Sequence, residues 1–179
     1  MPVVLPEQGR SGTVGEPPIN LDWIAKDPDI DLPVYIIVSG PRDGSSHDLR
    51  GLHWRLSWQV ARDKWRYVHI VEHWRDHQRA PNPRYVYWGA LTQSSGHSTS
   101  KLTKVLVGVM SLATRKSIEQ LALEVPVMWP DGTWNCQNWI LDLLTRMHRA
   151  GIISQRRWEE VVGAAHNGQE QLSYGNIVP

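Results

Sequence analysis

The chain has 179 residues; 19 Lys and Arg stand against 18 Asp and Glu, for a formal net charge of +1, and hydrophobic residues make up 41%. That is the balance of one folded domain with its own core, and near-neutrality argues against a nucleic-acid binder that works by phosphate neutralisation. No stretch approaches the roughly 18 apolar residues of a membrane span, so no transmembrane segment is expected, and the single cysteine excludes an intramolecular disulfide or a multi-cysteine metal site.

In chain order, residues 1–20 carry Pro2, Pro6, Pro17 and Pro18 with Gly9, Gly12 and Gly15, which reads as a flexible N-terminal arm. The opening is too short and too proline-broken for a signal peptide, so a cytoplasmic location is expected. A single catalytic domain is expected over 21–166, followed by a peripheral C-terminal tail over 167–179 in which Tyr174 and Ile177 could dock.

Val34–Val38 is β-branched and aromatic, and reads as a buried strand. His53–Val60 alternates, with Trp54, Leu56, Trp58 and Val60 on one face and His53, Arg55, Ser57 and Gln59 on the other. Further strands are expected over Trp65–Glu72, Arg84–Leu91 and Leu102–Met110, with a polar loop over Thr92–Ser100. Helices follow: one from Thr114 to Val125, one opening around Thr133 to Asn135, and a last one capped by Ser154. Cys136, Ile140, Leu143, Leu144 and Met147 form one apolar stripe on the second of these, and Gly151 is its stop. The expected fold is α+β, an antiparallel sheet of about five strands packed against a layer of about three helices.

Cys136 has two readings. A lone cysteine on an apolar stripe is ordinarily a small hydrophobe. At the first turn of a helix, where amides and the dipole favour an anion, it can instead be an activated nucleophile. A thiolate nucleophile needs a base within reach and a third group to orient that base. His53 opens one strand and His69 lies in the next, so antiparallel pairing can bring them together at one end of the sheet, register deciding. His97, in the polar loop, could act as a substrate gate. A rival use of the same residues is a zinc-type face of His69, His73 and His77 beside Glu72, which requires helix through a β-rich run. No dinucleotide or Walker glycine loop occurs, and no Gly-x-Ser-x-Gly elbow.

Taken together, Leu52-His53-Trp54 on a strand, His69 on the next, and Asn135-Cys136-Gln137-Asn138-Trp139 at a helix start resemble the circularly permuted papain-like superfamily. That group includes the lecithin:retinol acyltransferase-like and NlpC-type cysteine enzymes. The resemblance spans roughly residues 50–150 and rests on two short motifs. It implies a hydrolase or acyltransferase acting on an amide, ester or thioester, without a cofactor or metal. Cys136 is then the nucleophile, His53 the general base and His69 the third member. Trp54, Trp134, Asn135, Gln137 and His97 are the expected substrate-binding residues, the substrate being a small-molecule, lipid or peptide acyl compound. Two other readings stay open: a non-catalytic module binding through Trp65, Trp74 or Trp88 beside Arg62, Arg66, Arg75, Arg79 and Arg84, and a biosynthetic cyclising or condensing enzyme.

Overall fold

A computed structural model describes residues 3–13, 16–40, 51–73, 84–95 and 102–174, with side chains to residue 168. Among the described residues seven strands precede three α-helices: β1 Leu32–Ser39, β2 His53–Ala61, β3 Lys64–Val68, β4 Val71–His73, β5 Arg84–Val86, β6 Leu91–Ser94 and β7 Leu102–Met110, then α1 Leu112–Glu124, α2 Cys136–Arg149 and α3 Gln155–Tyr174. Five strands form an antiparallel sheet in the order β6-β3-β2-β1-β7, and β4 pairs with β5 alone. The fold is α+β, as the alternating and helical patterns predict.

The alternation on β2 holds, with Trp54, Leu56, Trp58 and Val60 all buried. They share one core with Cys136, Trp139, Ile140, Leu143, Leu144 and Met147 of α2, and with Ile118 of α1 and Val161 of α3. Helix ends are set by local chemistry. The Ser111 side chain accepts the Thr114 N–H and caps α1, and the Ser154 Oγ accepts the Arg157 N–H and caps α3. Past α2, Gly151 takes φ +73°, a left-handed turn that a side chain disfavours. The Ile152 N–H then bonds to the Met147 carbonyl and the Gly151 N–H to the His148 carbonyl, closing a Schellman stop.

Four expectations need correction. The run Trp65–Glu72 is not one strand. The β2–β3 ladder ends at Leu56↔Val68; further along, the first turn of α2 meets the chain instead, the Leu52 carbonyl accepting the Gln137 side-chain amide at 2.9 Å. The chain turns away at His69–Ile70, and Val71–His73 pairs with β5 instead. Arg84–Leu91 is likewise broken, since the Tyr87 N–H leaves the sheet to bond the Gln8 carbonyl and Gly89 turns at φ +96°. Leu91–Ser94, part of which was expected as loop, is the edge strand β6 on β3. Finally, α3 continues through Tyr174, past the expected start of the tail.

Part of the expected N-terminal arm lies against the body. Leu5 is buried, its N–H bonds the Val127 carbonyl at 2.7 Å, and Trp129 N–H bonds the Val3 carbonyl. Pro6–Gly9 is a tight turn with left-handed Glu7 and Gln8, and Gly9 packs directly on the Tyr85 carbonyl, where a Cβ has no room. Arg84 donates to the Gly9 and Ser11 carbonyls. Local composition cannot reveal such a tether, because its partners lie more than seventy residues away. The acidic segment 21–31 is fixed too: Asp27 is buried on Arg115 and accepts the Trp58 indole N–H at 3.0 Å.

Candidate active site

The approach to Cys136 is built by two side chains. Asp131 Oδ1 accepts the Thr133 N–H, the Thr133 hydroxyl and the Trp134 N–H, each at 2.8 Å, and these bonds pull its carboxyl down to about 2. Asn135 then caps α2: its Oδ1 accepts the Gln137 and Asn138 N–H groups, and the Asn138 side chain returns to the Asn135 N–H at 3.1 Å. This capping box explains the polar residues crowded around the cysteine. Cys136 is thereby the first residue of the helix.

The thiol lies against the β2 backbone on both sides of His53. It is buried and donates to the Leu52 carbonyl at 3.9 Å, while the Trp54 N–H also faces the sulfur. Burial pushes the thiol up to about 11; the Glu72 carboxylate adds to that, and the N–H groups of Trp54, Cys136 and Gln137 oppose it. The helix end was expected to lower this value. It does favour the anion, but desolvation of a buried sulfur outweighs it. Glu72 was anticipated only as a metal neighbour. Glu72 is exposed on β4 and acts on the thiol only through its charge.

His53 and His69 do meet. His53 Nε2 lies 2.7 Å from His69 Nδ1, and their rings stand 5.0 Å apart at 66°. Leu56↔Val68 fixes the register that sets them diagonally on one face. Behind them the Tyr67 ring lies 6.0 Å from His69, and the Arg55 guanidinium lies 4.8 Å over that ring. Burial holds His69 well below the usual 6.5, with His53 and then Arg55 adding to the effect. His69 is therefore neutral at physiological pH.

The other expected residues are placed as follows. Trp54 is fully buried, its ring 5.1 Å from that of His166 on α3, so it offers no surface to a ligand. Trp134 is half-buried and meets Tyr85 edge-on at 5.6 Å. Asn135 is committed to the cap, and the Gln137 amide to the Leu52 carbonyl. His97 lies outside the described residues, as do His77, Trp74, Arg75 and Arg79. The zinc-type face loses its basis, because Lys64–Val68 and Val71–His73 are strands. Among the described residues no group of three or more His, Cys, Asp or Glu could hold a metal ion. Of the arginines assigned to a binding surface, Arg66 is buried on Asp22 and Glu119, and Arg84 holds the N-terminal segment.

Among the described residues, no helix is long and apolar enough to cross a membrane. Compared with known proteins, the chain matches no family model, no curated protein and no solved structure.

Proposed function

We propose that the chain is a cysteine-dependent hydrolase or acyltransferase acting on an amide, ester or thioester. The observation that carries this reading is the hydrogen bond between His53 and His69, with the Cys136 thiol against the backbone of Leu52 and Trp54 on either side of His53. With His69 neutral, the useful tautomer has His53 Nε2–H donating to His69 Nδ1, which puts the basic lone pair on His53 Nδ1.

The resting thiol is protonated, so the nucleophile is made on demand. As a carbonyl carbon approaches, His53 takes the thiol proton and the sulfur forms a bond to that carbon. The cap uses the Gln137 and Asn138 N–H groups; the Cys136 N–H, which faces its own sulfur at rest, stabilises the oxyanion once the sulfur is bonded to carbon. Collapse breaks the bond to the leaving group, which departs with the proton from His53 and leaves a thioester on Cys136. A second nucleophile, water in hydrolysis or an alcohol or amine in transfer, gives its proton to His53 and bonds to the acyl carbon; the S–C bond breaks, the acyl product leaves, and His53 returns the proton to the Cys136 sulfur. His69 orients His53 throughout and stabilises its charged form.

A second reading has a specific observation in its favour: a thiol pushed up to about 11 and bonded to a carbonyl suits a packed cysteine in a non-catalytic module. Turnover of p-nitrophenyl acetate, p-nitrophenyl butyrate and an acetyl thioester by the purified chain separates the two. The first reading expects Cys136→Ala to abolish turnover, and His53→Ala to lower it by about 10²–10⁴-fold, with circular dichroism unchanged. Full turnover by Cys136→Ala, or none by the native chain, overturns it.

A further inference from the structure

Scattered apolar side chains on a surface need no explanation, but a cluster on one fixed loop does. Ile19, Trp23, Ile24 and Ile30 are 77%, 77%, 58% and 59% exposed. The segment that carries them is held at every turn. Asn20 Oδ1 accepts the Thr92 N–H, and the Leu21 N–H bonds the Thr92 carbonyl at 2.7 Å, which ties the segment to the edge of β6. The Ile24 and Ala25 N–H groups both bond the Leu21 carbonyl at 2.9 Å, closing one turn with Ala25 inside and Trp23 and Ile24 outside. Arg115 then takes the buried Asp27 carboxylate together with the Pro28 and Ile30 carbonyls. A charged residue is inside here and a tryptophan outside. That inversion is what a pre-organised anchor requires, since little ordering entropy is lost when it binds.

The charges around this surface select the occupant. Along residues 16–31, Glu16, Asp29 and Asp31 are exposed against Lys26, while Asp22 and Asp27 are bound by Arg66 and Arg115. An acidic rim repels an anionic bilayer. It also disfavours a second copy, because a two-fold contact sets the same rim against itself. We propose that the Leu21–Asp31 loop is a docking surface for a basic amphipathic segment of a protein partner, with Trp23 as its apolar anchor and the rim carboxylates meeting the partner's cations. The proposal is independent of any chemistry at Cys136.

The test is fluorescence polarisation with a labelled 18-residue Leu/Lys amphipathic peptide and its Leu/Glu counterpart, added to the full chain. The native chain should bind the Lys peptide at least tenfold more tightly than does Trp23→Ser or Asp29→Lys/Asp31→Lys, and the binding should weaken with salt. The Glu peptide should not bind. Because the peptide comparison uses the native chain, it stands even if a variant folds poorly. Equal binding of both peptides, no binding of the Lys peptide, or undiminished binding by a folded Trp23→Ser chain overturns the proposal. So does a dimer in sedimentation, or capture by phosphatidylglycerol vesicles, that is lost on Trp23→Ser; these outcomes make the occupant a second copy or a membrane.

Discussion

His53 Nε2 and His69 Nδ1 share a hydrogen bond of 2.7 Å although sixteen residues separate them. The pairing Leu56↔Val68 sets this diagonal, and the first turn of α2 meets the chain at Leu52. The thiol meets the chain at Leu52 and Trp54, the two neighbours of His53. Four experiments follow from that arrangement and from the network that holds the fold.

The thiol should react as a buried, protonated group. Its alkylation by iodoacetamide in the absence of substrate should be slow at pH 7 and rise about tenfold per pH unit towards pH 11, since the thiolate is the reactive form. Mass spectrometry of the Cys136 peptide over time gives the rate. A rate independent of pH between 5 and 8 means a resting thiolate–imidazolium pair and contradicts on-demand activation.

His69 should stay neutral where an ordinary histidine titrates. Burial, His53 and Arg55 all lower its value, so its ring resonances should not move between pH 8 and pH 6.5. Removing the imidazole neighbour in His53→Ala should raise the midpoint yet leave it below 6.5, because burial is the largest cause. The sign for stability follows: the unfolded chain takes this proton first, so His69 contributes a loss of stability as pH falls below about 6.5 and none above it. Ring nitrogen chemical shifts in a pH series measure the midpoint, and a His69 midpoint at or above 6.5 in the native chain contradicts the geometry.

Asp27→Ala should cost about 3–5 kcal/mol in urea unfolding, because it strands a fully buried Arg115 and removes the acceptor of the Trp58 indole. Asp27→Ala/Arg115→Met should recover part of that loss. A cost below about 1 kcal/mol, on the scale of an exposed pair, would show that the network is solvated.

Much of the architecture is legible in the residues themselves. Trp54, Leu56, Trp58 and Val60 alternate because one face of β2 meets helices, and the stripe from Cys136 to Met147 gives the helix that covers it. The cap at Ser154 and the stop at Gly151 are equally local. What escapes sequence reading is decided between distant segments. Nothing around Val68 announces that the β2–β3 ladder ends there and that Val71–His73 pairs with β5 instead. The docking of Leu5 and Gly9 depends on Val127 and Tyr85, and Asp27 looks like one surface acid among four until Arg115 is found beside it. Of the candidate site, the meeting of His53 and His69 was legible from antiparallel pairing. Its electrostatics were not, because helix polarity can be read along a chain and the burial of a sulfur cannot.

The central claim is that Cys136 becomes covalently acylated. Incubating the chain with p-nitrophenyl butyrate, quenching in acid and measuring intact and peptide masses tests it directly. The account predicts one butyryl adduct on the peptide bearing Cys136, absent from Cys136→Ala, slow to form in His53→Ala and discharged by hydroxylamine. An unmodified Cys136 under conditions where the ester is turned over, or the same adduct on Cys136→Ala, contradicts it.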